Sequence, residues 1–389
     1  MRLNLNNKGK TCIRIPLLIL VVLSIVFSTA CIGGMQPVGW AGVALSDGVI
    51  YTGTIEGRLI GIFPDGSRQW AEPLKIQSSG GGFGCVPSLY GGAGCGQGSS
   101  AGVAIYGTPI VLNDLVYIAG YNGKVYAYNA KTLGQRWIYP RESYIDPIVA
   151  GMANDNDTIY VSDSSGKIIA LDAATGDMKW EFQASDKVWS TPIIDGNTLY
   201  AGCFDNKLYA IDKTTGIKKW EFATGGAIQS SPLVYQNAVY FGSFDRKLYA
   251  VDAETGTEKW SFGCEKWFWA KPLAYGDTIL ACGLDGFAYL LDAQTGEKKA
   301  DFNLGSPVAS SPVMINENVF IATHGGSIFK LNTTNDNIRV IATVDTQVNA
   351  PLSANDKILY VHTSSSLTIH PIDIESGAKL MPISLKSGN

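Results

Sequence analysis

The chain contains 389 residues, 46% of them hydrophobic, which is enough for one large core or for the cores of about two to three ordinary domains. Its formal net charge is −4 at pH 7. A mildly acidic chain is a poor candidate for binding nucleic acid or an anionic lipid surface by charge. The 44 glycines favour a fold with many tight turns.

Residues 1–30 have the composition of a secretory signal peptide. Arg2, Lys8, Lys10 and Arg14 form a basic start without acidic residues, and the apolar run IPLLILVVLSIVF follows at 15–27. This run is too short to cross a membrane comfortably as a folded helix. Removing 1–30 would take away four basic residues and change the formal charge from −4 to −8. We expect the rest to be exported, with 31–37 as a short linker and 38–389 as the folded domain.

The segment STAC at 28–31 gives two predictions for the processing of this leader. A cysteine directly after small residues resembles the lipobox of bacterial lipoproteins, which implies that Cys31 becomes a lipidated N-terminus. Ser28 departs from the leucine usual at that position. The alternatives are simple secretion, since Ser28 and Ala30 are small enough for ordinary cleavage, or an uncleaved anchor. A lipid anchor would hold the domain on the outer face of the cytoplasmic membrane or in the periplasm at the outer membrane.

The remaining chain repeats with a period of about forty residues. The segment SSPLVYQNAVYFGSFDRKLYAVDAETGTEKWSF at 230–262 divides into four short runs with strand-like alternation, separated by turns. Four antiparallel strands per forty residues are typical of a β-propeller blade. The second strand can be found eight times, at 48–53, 115–120, 158–163, 198–203, 238–243, 278–283, 318–323 and 358–363. The prediction is an all-β fold, an eight-bladed propeller of four-stranded antiparallel blades, closed by packing of blades one and eight.

Each repeat ends with a similar eleven-residue motif, as in AVDAETGTEKW at 250–260. The Asp and the Thr-Gly pair are suited to the tight turn between the third and fourth strands, because Gly tolerates positive φ and Asp can accept hydrogen bonds from local amides. The Trp on the outer strand is suited to fill the space between blades. We assign structural roles to Asp172, Asp212, Asp252, Asp292, Gly176, Gly216, Gly256, Gly296, Trp137, Trp180, Trp220 and Trp260.

The pattern A-x-D-x-x-T-G-x-x-x-W resembles the tryptophan-docking motif of the pyrroloquinoline quinone (PQQ) repeat propellers. Four near-complete copies end at 180, 220, 260 and 300, and looser copies end at Trp70, Trp137 and Met381. The resemblance covers residues 38–385. It implies one of two kinds of function. Quinoprotein alcohol dehydrogenases hold PQQ and Ca²⁺ on the propeller axis, whereas non-catalytic exported propellers include the lipoprotein subunit of the outer-membrane β-barrel assembly machinery.

The sequence departs from the dehydrogenases at several points. It has no adjacent Cys-Cys pair, no haem-attachment C-x-x-C-H motif, and no motif on which the Glu–Asn–Asp calcium and base residues can be placed. We therefore expect no enzyme activity and no cofactor, with PQQ and calcium as the alternative. The histidines show no metal-ligand spacing, and the NDND run at 154–157 lacks the Gly and distal Glu of an EF-hand loop, so no metal site is predicted.

The inner strand of each blade should line the axial channel. The residue three before each blade's proline, or its equivalent, should face one mouth of the channel, a column that contains Trp40, Tyr106, Tyr144, Trp189, Gln229, Trp269, Ala309 and Val348. One residue before the proline stand Asp146 in blade three and Lys271 in blade six. Aromatic rings and Lys271 could bind a ligand with an anionic group. The rings could equally plug a wide channel.

The cysteines and one long loop complete the predictions. Cys85 and Cys95 lie in a Gly-rich insertion at 75–102, and in an oxidising compartment they are plausible disulfide partners. We interpret this insertion as a partner-binding loop or a lid. Among Cys203, Cys264 and Cys282 at most one pair can form, and buried free thiols are the alternative.

Together these features predict an exported, lipid-anchored and monomeric propeller that binds envelope proteins. A PQQ-dependent oxidoreductase is the first alternative. The second is an envelope sensor or solute-binding domain that uses the aromatic mouth of the channel.

Overall fold

The structure is a computed structural model that describes residues 41–76, 102–363 and 367–386. Within these ranges every regular element is a β-strand, and the strands form eight four-stranded antiparallel sheets in a propeller arrangement. The predicted all-β fold and its eight blades are therefore confirmed. They belong to the compact unit that runs from Gly39 to Asn389. Of the insertion predicted at 75–102, Lys75 ends an outer strand, and Cys31, Trp40, Cys85 and Cys95 lie outside the described residues.

The first four blades each consist of consecutive strands from one continuous segment. Blade 1 contains β1 (Ala44–Ser46), β2 (Val49–Gly53), β3 (Arg58–Ile62) and β4 (Leu74–Lys75). Blade 2 contains β5 (Ile110–Leu112), β6 (Leu115–Gly120), β7 (Lys124–Asn129) and β8 (Gln135–Tyr139). Blade 3 contains β9 (Ala153–Asp155), β10 (Thr158–Ser162), β11 (Lys167–Asp172) and β12 (Met178–Gln183). Blade 4 contains β13 (Ile193–Asp195), β14 (Thr198–Gly202), β15 (Lys207–Asp212) and β16 (Lys218–Ala223).

The last four blades have the same order of strands. Blade 5 contains β17 (Leu233–Tyr235), β18 (Ala238–Gly242), β19 (Lys247–Asp252) and β20 (Glu258–Gly263). Blade 6 contains β21 (Leu273–Tyr275), β22 (Thr278–Cys282), β23 (Phe287–Asp292) and β24 (Lys298–Asn303). Blade 7 contains β25 (Val313–Ile315), β26 (Asn318–Ala322), β27 (Ser327–Asn332) and β28 (Asn337–Thr343). Blade 8 contains β29 (Ser353–Ala354), β30 (Ile358–Thr363), β31 (Thr368–Asp373) and β32 (Ile383–Ser384).

The turns between strands follow from the local sequence. In blade 5, Tyr235 pairs with Ala238 across a two-residue turn. Gln236 and Asn237 in this turn have φ of 46° and 57°. Two successive positive φ values give a hairpin twist that matches the twist of the strands, and Asn tolerates this conformation well. The turn therefore fixes the register of the first and second strands.

The hydrophobic core lies between neighbouring blades. One buried cluster joins Tyr240 and Trp260 of blade 5 to Ile279 and Leu291 of blade 6. The second strand of blade 5 is buried along its whole length, because both faces of the sheet are covered. The outer strands alternate between exposed and covered residues, as in β16. Each blade thus depends on both neighbours for its burial, as in other repeat architectures.

Packing of blades 1 and 8 closes the ring. Ile50 and Ile60 share a buried cluster with Tyr360 and Ile369. The hydroxyl of Ser353 donates to the carbonyl of Val43 at 2.6 Å. All four described strands of blade 8 come from the C-terminal segment, so within the described residues no strand is exchanged between the ends of the chain. Closure by face-to-face packing is what we expected from the absence of a leftover strand.

The eleven-residue motif builds both a turn and a docking surface. In blade 6, a carboxylate oxygen of Asp292 accepts hydrogen bonds from the amides of Gln294 and Thr295, each at 2.9 Å. Gly296 has φ of 72°, and a Cβ on it would lie 2.5 Å from the indole of Trp260 in blade 5. The indole nitrogen of Trp260 donates to the carbonyl of Ala293 at 3.0 Å. Glycine is therefore required at this position for two reasons, the positive φ and the close contact with the neighbouring indole ring.

The same contact recurs along the ring of blades. Gly176, Gly216 and Gly256 lie against Trp137, Trp180 and Trp220, respectively, at comparable distances. Blades 6 and 7 depart from the pattern, because Ala300 and Val340 lie on the outer strands where a Trp would be expected. The motif is therefore architectural, and function must be sought elsewhere on the propeller.

Candidate functional site

One end of the propeller, called here the top face, carries two sets of loops. These are the connections from each outer strand to the next blade and the turns between the second and third strands. Backbone hydrogen bonds join the two sets, from Phe204 to Lys187, from Phe244 to Ala227 and from Leu284 to Trp267, at 2.9–3.0 Å. Side chains from these turns are thereby brought beside the channel mouth.

Aromatic side chains from blades 4 to 6 form a continuous surface on the top face. The five rings, called here the aromatic strip, are those of Trp189, Phe204, Phe244, Trp267 and Trp269. Ring centroids are 5.0 Å apart for Trp189 and Phe204 and 5.9 Å for Phe204 and Phe244. Phe244 stacks on Trp267 at 4.5 Å and on Trp269 at 5.6 Å. Trp267 keeps 38% of its surface exposed, unlike the docking tryptophans, which are buried or nearly so.

Two of the predicted mouth residues, Trp189 and Trp269, belong to this strip. Sequence reasoning missed Phe204, Phe244 and Trp267. The forty-residue period could have found two of them, because Phe204 and Phe244 occupy the same position of the turn between the second and third strands.

Polar and charged groups border the strip. The ammonium of Lys187 lies 4.6 Å from the ring centroid of Phe204 and 5.3 Å from that of Trp189, within the range of a cation–π interaction. The indole nitrogen of Trp189 donates to the hydroxyl of Ser164 at 3.0 Å. The side-chain oxygen of Gln229 is buried without a hydrogen-bond partner in the described part of the chain. A buried oxygen of this kind is available to a donor on a ligand.

Lys271 lies two residues beyond Trp269, at the start of the inner strand. Its amide donates to the hydroxyl of Ser311 at 3.2 Å. Its ammonium makes no ion pair and no hydrogen bond with the described residues, and burial lowers the pKa of this group. An ammonium held away from water without an anionic partner is destabilised, and a bound anion would relieve that cost.

Hydroxyl groups occupy the position of Lys271 in neighbouring blades. The Thr191 hydroxyl accepts from the amide of Gly151, and the Ser231 hydroxyl accepts from the amide of Thr191. A hydroxyl that accepts one hydrogen bond still has its own proton to donate. Lys271 is thus the one cation in this column within blades 3 to 7, where the other members are Gly151, Thr191, Ser231 and Ser311.

The predicted register of blade 3 is wrong. The bond from Gly151 to Thr191 places Gly151, rather than Asp146, in the column of Lys271. The carbonyl of Pro147 accepts a hydrogen bond from the amide of Ser164, and the carbonyl of Lys187 accepts the equivalent bond from the amide of Phe204 in blade 4. Pro147 therefore corresponds to Lys187 in the connecting loop and is not the inner-strand proline. Asp146 therefore belongs to the preceding loop. Tyr144, 78% exposed, lies outside the column, whose position in this blade is taken by the buried Val149.

The predicted mouth position is wrong by one residue in blade 8 and is at the expected residue in blade 2. Val348 is fully buried, and Asn349 takes the mouth position, where its side-chain oxygen lies 2.9 Å from Nδ1 of His324 in blade 7. In blade 2, Tyr106 lies at the expected position and packs edge-on against Tyr121 at 5.5 Å. Burial raises the pKa of Tyr106, so its hydroxyl stays protonated.

Other candidate chemistry is limited within the described ranges. No group of three or more His, Cys, Asp or Glu side chains there could hold a metal ion. Cys203, Cys264 and Cys282 are free thiols, and burial raises the pKa of each to about 12. Thiols with such pKa values are poor nucleophiles. Among the described residues there is also no helix long and apolar enough to cross a membrane.

The comparisons with known proteins agree with this architecture. A protein-family model described as "Beta-alanine-activating enzyme, beta-propeller" matches residues 145–388, more than half of the chain, so the chain belongs to this β-propeller family of PQQ-type repeats. The description names both an enzyme and a β-propeller.

Two solved structures share the fold at low sequence identity. BamB from Moraxella catarrhalis is 18% identical with a TM-score of 0.64, and the match covers 83% of this chain and 93% of that one. The computationally designed Ika8 protein is 15% identical with a TM-score of 0.66, and the match covers 85% of this chain and 97% of that one. A search of curated proteins finds no match. At these identities the likeness shows the fold alone.

Proposed function

We propose that the chain is a non-catalytic binding scaffold whose aromatic strip takes up a segment of a protein partner. The observation that carries this proposal is the exposed Trp267, which stacks on Phe244 at the end of five contacting rings. Tryptophan and tyrosine dominate the binding energy of protein interfaces, because they bury a large area with little loss of side-chain entropy. A rigid propeller holds the strip in place before binding, which lowers the entropic cost of association.

The charges at the mouth favour a partner segment that combines apolar side chains with an anionic group. Lys187 is held over the strip, and Lys271 lies deeper at the start of the inner strand. The unpartnered oxygen of Gln229 would accept a hydrogen bond from the backbone or side chain of such a segment. Lys271→Ala should therefore weaken binding of an acidic segment more than binding of its neutral analogue.

The proposed location is the cell envelope, with the domain held by a lipid on Cys31. The support is the sequence of residues 1–31, in which a basic start and an apolar run precede the small residues and the cysteine. Metabolic labelling with a radioactive or clickable fatty acid tests this directly. Label on the wild type and none on Cys31→Ala supports the anchor, and equal labelling of both chains contradicts it.

The partner can be tested with two exposed apolar residues at opposite ends of the propeller. Trp267→Ala removes the exposed end of the strip, and Ile217→Ala is the matched control, since Ile217 is 68% exposed in a turn at the other end. Envelope proteins that co-purify with the wild type should be lost from Trp267→Ala and retained by Ile217→Ala. Equal recovery with all three chains would contradict the proposal.

The second candidate is a PQQ-dependent oxidoreductase, favoured by the repeat type and by a family description that names an enzyme. The described residues do not fit the calcium that accompanies PQQ in such enzymes, because no group of three suitable ligands is found among them. Addition of PQQ and Ca²⁺ to the purified chain decides between the candidates. Saturable quenching of Trp fluorescence that is lost in Trp269→Ala would favour the oxidoreductase.

A further inference from the structure

A cavity of about 300 Å³ lies between blades 1 and 2. It is lined by turns at the bottom of the propeller, which is the end opposite the aromatic strip, and by side chains of the facing strands. Six lining residues carry its chemistry, namely Asp47, Tyr51, Phe63, Gln69, Leu112 and Asp114. Its volume is at the lower end of the range for small-molecule sites in proteins.

An unpartnered hydroxyl distinguishes this interface from its neighbours. In blades 2, 4 and 5 the tyrosine equivalent to Tyr51 donates its hydroxyl to a carbonyl of the next blade, at 2.9–3.0 Å. The equivalent carbonyl here is that of Ala130, which accepts the indole N–H of Trp70 at 2.9 Å. The hydroxyl of Tyr51 makes no hydrogen bond within the described residues, although only 3% of this side chain is exposed. Tyr51 therefore presents to the cavity a hydroxyl that has no partner among the described residues.

Leu133 takes the place of the docking glycine at this interface. The amide of Leu133 donates to the carbonyl of Asn129 just as Gly176 donates to Asp172, so Leu133 occupies the position of the docking glycine. Leu133 has φ of 58° and packs partly buried against the interface cluster. Elsewhere a single Cβ at this position would lie 2.5–2.7 Å from the docked indole. Trp70 nevertheless docks like the other tryptophans, with its indole nitrogen 2.9 Å from the Ala130 carbonyl and its ring centroid 5.8 Å from that of Tyr51. The interface therefore differs in the Tyr51 hydroxyl and not in the position of the indole.

The polar groups of the cavity favour a cation. Asp114 is paired with Lys131 at 3.2 Å, whereas Asp47 makes no ion pair with the described residues. Burial and the negative charge of Asp47 both raise the pKa of Tyr51. The charge of this carboxylate is therefore felt at the unpartnered hydroxyl. The rest of the lining is mixed, since Val49, Phe63 and Val111 are apolar whereas Ser46, Gln69, Asn113 and Lys131 are polar or charged.

We propose that this cavity binds a small molecule with a protonated primary amine and a short apolar body. The Tyr51 hydroxyl would accept a hydrogen bond from the ammonium, Asp47 would supply the opposite charge, and Phe63 and Leu112 would cover the apolar body. The site is at the opposite end from the aromatic strip, so its failure would leave the proposed scaffold function untouched.

Calorimetric titration of the full chain with 2-phenylethylamine at pH 7 tests the proposal, with 2-phenylethanol as the neutral analogue. We expect saturable binding of the amine and binding of the alcohol that is about tenfold weaker or more. Asp47→Asn should weaken amine binding about tenfold, and Tyr51→Phe should weaken it by roughly three- to tenfold. Asp277→Asn in the corresponding turn of blade 6 and Tyr240→Phe in blade 5 are the matched controls and should bind with unchanged affinity.

Absence of saturable amine binding, equal affinity for the alcohol, or unchanged affinity in both Asp47→Asn and Tyr51→Phe would each overturn the proposal.

Discussion

The interface between blades 5 and 6 and the interface between blades 1 and 2 are built on the same repeat but differ in their docking turns and in one tyrosine hydroxyl. Gly296 receives the ring of Trp260 in the first, and Leu133 stands at the equivalent position in the second. Trp70 docks as Trp260 does, and a cavity lies beside it. The clearest difference is the hydroxyl of Tyr51, which has no partner in the described chain, whereas that of Tyr240 donates to the Ala293 carbonyl at 2.9 Å.

Two tryptophans seven residues apart make a related comparison. Trp260 is 8% exposed and docks on the next blade, whereas Trp267 is 38% exposed and ends the aromatic strip. The first contributes to folding, and the second belongs to the surface proposed for binding. The substitutions below test both comparisons, in order of decreasing effect.

Trp260→Ala should lower the free energy of unfolding by roughly 3–5 kcal/mol, because it removes a buried ring and leaves a cavity. Trp267→Ala should lower it by about 1 kcal/mol, the value of an aromatic contact at a partly exposed site. Urea denaturation followed by far-ultraviolet circular dichroism measures both. Similar losses for the two variants would mean that the strip is part of the core.

Gly296→Ala should lower the free energy of unfolding by roughly 2–3 kcal/mol, since the new Cβ both strains a positive φ and meets the indole of Trp260. Gly48→Ala is the matched control. Gly48 has a similar φ of 75°, but no atom lies within 4 Å of the position that a Cβ on it would take. Its loss should be about 1 kcal/mol, from backbone strain alone. Equal losses would show that φ, rather than the docked ring, makes the glycine necessary.

Both comparisons also show which features of the molecule can be predicted from local sequence patterns. The prolines at 192, 232, 272 and 312 and the repeated turn motif located the blades, because period and turn chemistry are local properties. Blade 3 was misaligned because Pro147 belongs to a different loop position. The contacts of Phe204 and Phe244 join separate blades, and the cavity beside Tyr51 depends on how two blades approach each other. Neither property is visible in a local motif.

Tyr240→Phe should lower the free energy of unfolding by about 1–2 kcal/mol, because it leaves the buried carbonyl of Ala293 with one hydrogen bond fewer. Tyr51→Phe should change it by less than about 0.5 kcal/mol, since the hydroxyl it removes has no partner within the described chain. Thermal unfolding of the two variants measures the difference. A large loss for Tyr51→Phe would show that its hydroxyl is satisfied in the folded protein.

Acid should weaken the closure between blades 1 and 8 through His362. Its Nδ1 lies 2.7 Å from the carbonyl of Ala41, and its Nε2 is buried without a partner in the described residues. Burial lowers the pKa of this imidazole below its ordinary value of 6.5. The unfolded chain therefore binds the proton more readily, and stability should fall as the pH drops below about 6.5.

His362→Asn should flatten this pH dependence, because Asn can still donate to the Ala41 carbonyl but does not titrate. His324→Asn is the control for a histidine at the top face. Free energies of unfolding measured between pH 5 and pH 8 would compare the three chains. An unchanged slope in His362→Asn would assign the pH dependence to other groups.

Site-specific photo-crosslinking in cells tests whether the aromatic strip binds a protein partner. A photoreactive amino acid is placed at position 267 in the aromatic strip or at position 217 at the opposite end, and the captured proteins are identified by mass spectrometry. We expect one recurrent envelope protein to be captured from position 267 and to be absent from position 217. Capture of the same proteins from both positions, or of none from position 267, would contradict a binding function for the strip.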